Sequence, residues 1–153
     1  MELSMTDIIQ RIYDFNTGAG LLDKPYNDRL EASFQIEEAL EGFDITKLSL
    51  RLGGTILTTP KTLARELVAE CVGTVSEVDA LDKAIDAVVF AIGGVAKLGL
   101  TPTQCSEAIN IVMDANLAKL NCPKDSHGKL TKPLDFQNPE PLLQEILDAR
   151  TIN

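Results

Sequence analysis

The chain has 153 residues, enough for a single domain with a hydrophobic core, and its 44% hydrophobic and 24% charged residues exclude disorder throughout. Aromatic residues are only 5% and Trp is absent, so Ala, Leu and Ile must fill the core, which suits helices better than a β-sandwich. A formal net charge of -9 argues against nonspecific binding to a nucleic-acid backbone.

The first predicted element is a helix in "MTDIIQRIYDF", with Thr6 as its cap and Ile8, Ile9, Ile12 and Tyr13 at helical spacing. No uninterrupted apolar run opens the chain, so no signal peptide is expected. "NTGAGLLDKPYN" reads as a loop. Asn27 or Asp28 then caps a second helix, about 28 to 43. "DITKLSLRLGG" reads as a short helix and an extended turn, and Thr59–Pro60 starts a third long helix. Ser76 caps a fourth, which runs to Gly99, and Thr101–Pro102 starts a fifth. After Leu120 the sequence turns polar and rich in turn formers, forming a C-terminal arm over 121–153 that closes with the short helix "EPLLQEILDAR". The expected fold is a single all-α bundle with this loop-rich arm.

Cys71, Cys105 and Cys122 make neither a CxxC pair nor a disulfide framework. Cys71 and Cys105 read as small core residues inside helices, and Met113 as core. The run "AVVFAIGGVA" is too short to span a bilayer, and a soluble cytoplasmic protein with no membrane partner is expected. Its apolar character on nearly all sides suits burial in an assembly, so a homodimer or homotetramer is expected.

Carboxylates interrupt this pattern. A residue advances a helix by about 100°. On that wheel Leu30, Phe34, Glu37 and Glu41 share one stripe, with Glu38 on its flank. Burial of an unpaired carboxylate costs on the order of several kcal/mol. Such a stripe must end at a surface, meet a cation, or hold a metal. In the fourth helix Leu81, Ile85, Val88 and Ile92 form an apolar stripe, and Asp79, Asp82 and Asp86 a second one beside it. Aligned aspartates repel one another. A hard divalent cation with oxygen ligands gives both clusters one physical reason. A di-iron site wants Glu-x-x-His pairs, whereas the one histidine, His127, lies in the polar arm and reads as a loop residue. In the fifth helix Asn116 interrupts the stripe Ile109, Met113, Leu120, with Lys119 to one side.

"EEALE", residues 37 to 41, resembles the EExxE motif of the all-α nucleoside triphosphate pyrophosphohydrolases, the MazG-like superfamily. "DKAIDAVVFAIGGVAKLGL" is similar to the helix carrying that family's second acidic motif, "SEAINIVMDANLAKL" to the segment ending in Asn-x-x-Lys, and "HGKLTKP" to the Gly-Lys…Lys-Pro tail of phage and bacterial members. The resemblance runs from about residue 6 to 133. It implies Mg²⁺-dependent cleavage of a nucleoside triphosphate to the monophosphate and pyrophosphate, with Mn²⁺ as a substitute ion. Carried over, Glu37 and Glu38 are the catalytic pair. Glu38, Glu41, Asp82 and Asp86 hold the metal. Asn116 and Lys119 contact the nucleotide, and Lys129 and Lys132 reach its phosphates. One departure stands out: Lys83 occupies the position where the second motif commonly has Glu, and Asp82 is its expected replacement. Two alternatives stay open, a phosphoribosyl-ATP pyrophosphatase-like enzyme and a noncatalytic helical interaction protein.

Overall fold

The computed structural model describes residues 4–56, 58–124 and 130–150. Among them it is all-helical: α1 (Met5–Gly18), α2 (Asp28–Leu40), α3 (Thr46–Arg51), α4 (Pro60–Ala69), α5 (Glu77–Lys97), α6 (Pro102–Leu117) and α7 (Glu140–Asp148). No strand forms among the described residues; the arm contributes one isolated antiparallel bridge, Lys124 with Leu130. No single described helix is long and apolar enough to cross a membrane.

Local chemistry starts most of these helices where the sequence puts them. Asn27, Thr59 and Thr101 each accept a backbone N–H in the first turn, and Pro60 and Pro102 stand where a missing N–H costs nothing. Thr101 and Gln104 form a reciprocal capping box. Ser76 accepts the Asp79 N–H at 3.1 Å and donates to the Asp79 carboxylate at 2.6 Å. Asp79 is therefore a first-turn capping residue, which accounts for one of the three aligned aspartates. Helix α1 differs from expectation by starting earlier, because Ser4 and Asp7 make a capping box that Thr6 cannot.

The chain divides into two compact units, residues 25–84 and residues 1–24 with 85–153. In the first, α2 packs on α4. The buried residues of these two helices include the small Ser33 and Ala64 along with Leu63 and Val68. Ser33 donates its hydroxyl to the Leu30 carbonyl at 2.7 Å, which removes the cost of burying it. Ser49, Gly54, Thr55 and Thr58 belong to the same unit. Ser49 is fully buried and donates to the Thr55 carbonyl at 2.9 Å, and a Cβ on Gly54 would stand 2.4 Å from Ser49 Oγ. A side chain there would have to displace the Ser49 hydroxyl and would crowd the Ser49 carbonyl oxygen at 3.1 Å.

In the second unit α6 packs on both α1 and α7. Ile8 and Met113 are buried, and Arg11 of α1 donates to Asn110 Oδ1 at 2.7 Å and ion-pairs with Asp114. The arm is tied down as well. Lys124 donates to the Ala19 carbonyl at 2.9 Å, and Thr131 donates its N–H and its hydroxyl to the Pro123 carbonyl at 3.0 and 2.8 Å.

Three burial expectations are overturned. Leu30 and Phe34 are exposed, so the stripe they share with Glu37 and Glu41 is not the buried face of α2; Ser33 and the small-residue contact with α4 take that place. In α5 the expected core stripe Leu81, Ile85, Val88 and Ile92 is exposed, and Ala80 is the buried residue. Cys71 lies beyond the α4 C-cap and is exposed, whereas Cys105 is half-buried as a small helix residue.

Candidate functional site

Helix α2 ends at Leu40, short of the expected 43. Glu41 takes an extended conformation as the C-cap and Gly42 turns the chain at φ +82°, where a side chain would be strained. Glu37 and Glu38 thus occupy the last helical turn, and Glu41 stands just past it with its N–H on the Glu37 and Glu38 carbonyls at 3.2 and 3.3 Å. Glu37 is half-buried, and Glu38 and Glu41 are exposed. A helix C-terminus carries partial negative charge. Three carboxylates there, with no basic residue in the last turn, raise the local negative potential further. A cation bound at this end would relieve it.

Asp82 and Asp86 lie one turn apart on α5, both exposed. Lys83, between them, is half-buried. It lines a hollow of about 190 Å³ with Asp28, Arg29 and Val75 at the N-terminal end of α2, opposite to the end that carries the glutamates. Lys83 therefore serves the packing around the 71–75 loop, where Arg29 also donates to the Cys71 carbonyl at 2.7 Å and Asp28 accepts the Val75 N–H at 3.2 Å.

Carboxylate oxygens are the donor type Mg²⁺ requires. Among the described residues of the single chain, no three Asp, Glu, His or Cys side chains gather closely enough to hold a metal ion.

Three of the four residues expected to meet the nucleotide, Asn116, Lys119 and Lys132, are described, all in the unit of residues 1–24 and 85–153. Lys119 lies just beyond the α6 C-cap, and its ammonium donates to Asn116 Oδ1 at 3.1 Å. That same ammonium sits 5.1 Å from the centre of the Phe136 ring. Lys132, from the arm, stands 4.8 Å from the same ring centre and donates to Asn138 Oδ1 at 3.3 Å. Lys129 and His127 lie outside the described residues. Phe136 and Asn138 are absent from the sequence-based site. Their signal was faint: a single aromatic in a polar arm, between Pro133 and Pro139 and four residues after Lys132.

No protein-family model matches the chain, and no characterised protein and no solved structure is significantly similar to it. The family resemblance rests on the quoted motifs alone.

Proposed function

We propose that the protein is a divalent-metal-dependent nucleoside triphosphate pyrophosphohydrolase of the MazG-like type, releasing a nucleoside monophosphate and pyrophosphate. One observation carries the reading: Lys119, which donates to Asn116, and Lys132, from two separate motifs, both stand over one aromatic ring. Cations with hydrogen-bonding amides beside them are what a triphosphate needs. The carboxylates crowded at the C-terminal end of α2 lend support from the metal side.

In this reading the ligands for Mg²⁺ or Mn²⁺ would be drawn from Glu38 and Glu41 at the end of α2 and from Asp82 and Asp86 on α5, although the described residues of the single chain do not bring three of them together. The ion, when bound, neutralises phosphate charge and acidifies a coordinated water. Glu37, half-buried on the last turn of α2, would be the carboxylate that orients the attacking water and takes up its proton. Lys119 and Lys132 hold phosphate oxygens, and Asn116 keeps Lys119 in place.

Exposed Leu81, Ile85, Val88, Val89 and Phe90 give α5 more apolar surface than a lone helix of a monomer carries, which supports a homodimer or a homotetramer with α5 inside it. The same surface favours a second reading, a noncatalytic helical interaction protein.

Magnesium-dependent thermal stabilisation of the wild-type chain and of Glu38→Gln with Glu41→Gln separates the two. A specific site stabilises by mass action, about 2.7 kcal/mol at a hundredfold excess over Kd, and the double variant should lose that gain. Equal, salt-like responses in both proteins support the interaction protein.

A further inference from the structure

The geometry points to Phe136 as a positioning residue that gathers Lys119 and Lys132 into a single binding patch for an oligophosphate anion. The inference deepens the nucleotide reading and rests on it for the identity of the natural ligand. Three features carry it.

First, one ring serves two cations. Both ammonium groups lie within 5.1 Å of the same ring centre, so they stand less than two such radii apart. Two like charges repel at that range, and the negative face of an aromatic ring draws each of them in. Asn116 and Asn138 accept hydrogen bonds from the two lysines and fix their directions without cancelling charge. The result is a local concentration of positive charge on a chain whose net charge is -9. A multiply charged anion fits a paired cation patch better than a single carboxylate does.

Second, the patch joins two separate segments, and the ring is held on its own account. Phe136 is half-buried, its N–H donates to the Pro133 carbonyl at 3.2 Å, and the Thr131–Pro123 bonds tie the arm down before it. Lys119 comes from the end of α6 and Lys132 from the arm. A preset ring spares the cost of ordering two long lysine side chains when the anion arrives.

Third, the neighbouring surface directs the anion. A hollow of about 310 Å³ shares Phe136 and Asn138 but carries Asp114 and Asp135 on its wall. Asp114 is paired with Arg11, and Asp135 opposes phosphate, so the anion belongs with the lysines rather than in the hollow.

Inorganic tripolyphosphate is the probe, because it carries no base or sugar. Calorimetric titration of the full chain at low ionic strength should show saturable binding. Phe136→Leu and Lys132→Gln should each weaken it about tenfold, and Phe136→Tyr, which keeps a ring, should stay within about twofold of wild type. With a nucleotide that turns over, Phe136→Leu should raise KM about tenfold and leave kcat within about twofold. Absence of tripolyphosphate binding to wild type overturns the inference. So does binding by Phe136→Leu at wild-type strength, or a Phe136→Tyr variant as weak as Phe136→Leu. Should Phe136→Leu not fold, the ring carbon NMR signals of Phe136 in wild type decide: they must move on titration with tripolyphosphate, and unmoved signals overturn the assignment. Ring-dependent binding without hydrolysis of any nucleotide supports this inference and defeats the pyrophosphohydrolase reading. Hydrolysis with an unchanged KM in Phe136→Leu does the reverse.

Discussion

Helices α2 and α5 both carry carboxylates beside apolar residues, yet they use their apolar surface in opposite ways. Helix α2 is modest in apolar content and buries a seam of small residues against α4, with Ser33 2% exposed and Ala64 fully buried. Helix α5 is the longest and contains the run "AVVFAIGGVA", yet Val89 is 60% exposed and Phe90 75%. Close packing in a helix pair follows from how nearly two backbones can approach, and small side chains set that distance. Apolar content alone decides only that a helix needs a partner. For α5 the proposed partner is another copy of the chain.

The contrast can be broken most forcefully at α4. Leu63, 1% exposed beside the Ser33–Ala64 seam, should cost about 2–5 kcal/mol when truncated to Ala, read as a lower midpoint in urea unfolding. Unchanged stability would mean the α2–α4 seam is not a core. Gly54→Ala comes next. The added Cβ meets Ser49 Oγ and Thr58 Oγ1 and also approaches the Ser49 carbonyl oxygen at 3.1 Å, a backbone atom that cannot swing aside. Overpacking of this kind costs about 1–3 kcal/mol in the same assay.

Helix α5 should respond differently. Phe90→Ser removes an exposed ring, so its cost to the fold of one chain should stay within about 0.5 kcal/mol. Its effect should fall on assembly: sedimentation at micromolar concentration should show wild type as a dimer or tetramer and the variant shifted toward a monomer. A wild-type monomer of 16.6 kDa would remove the oligomer from the account.

The smallest effect is at the start of α1. Hydrogen bonds from the Ser4 hydroxyl and N–H hold the Asp7 carboxyl below the ordinary carboxylate range. A depressed folded-state pKa contributes stability above the unfolded value, roughly pH 4, and that contribution is lost as pH falls through the folded value. The protection of first-turn α1 amides, relative to their intrinsic exchange at each pH, should therefore fall below about pH 4 in wild type, and Asp7→Asn should abolish that dependence.

Much of the fold was legible because helix starts obey local rules. Thr59–Pro60 and Thr101–Pro102 specify a cap and a first-turn proline within a few atoms of each other, and Gly99 follows the end of α5. Burial was less legible because it depends on the partner. The wheel through Leu30, Phe34 and Glu37 assumes that the apolar stripe faces inward, whereas α4 packs where Ser33 lets it approach. The end of α2 was missed because Gly42 acts one residue beyond Glu41 and converts the last glutamate from a helical residue to a cap. The cation patch was half legible. Lys119 and Lys132 stood out as charges next to named motifs, but the ring that joins them lies beyond those motifs, and no spacing rule connects it to α6.

The most direct test of the proposed reaction incubates the full chain with canonical and modified nucleoside and deoxynucleoside triphosphates, with Mg²⁺ or with EDTA, and resolves the products by ion exchange. Monophosphate and pyrophosphate should form in equal amounts with Mg²⁺ and not with EDTA. No turnover of any nucleotide in Mg²⁺, or release of orthophosphate and a diphosphate instead, would contradict the pyrophosphohydrolase reading.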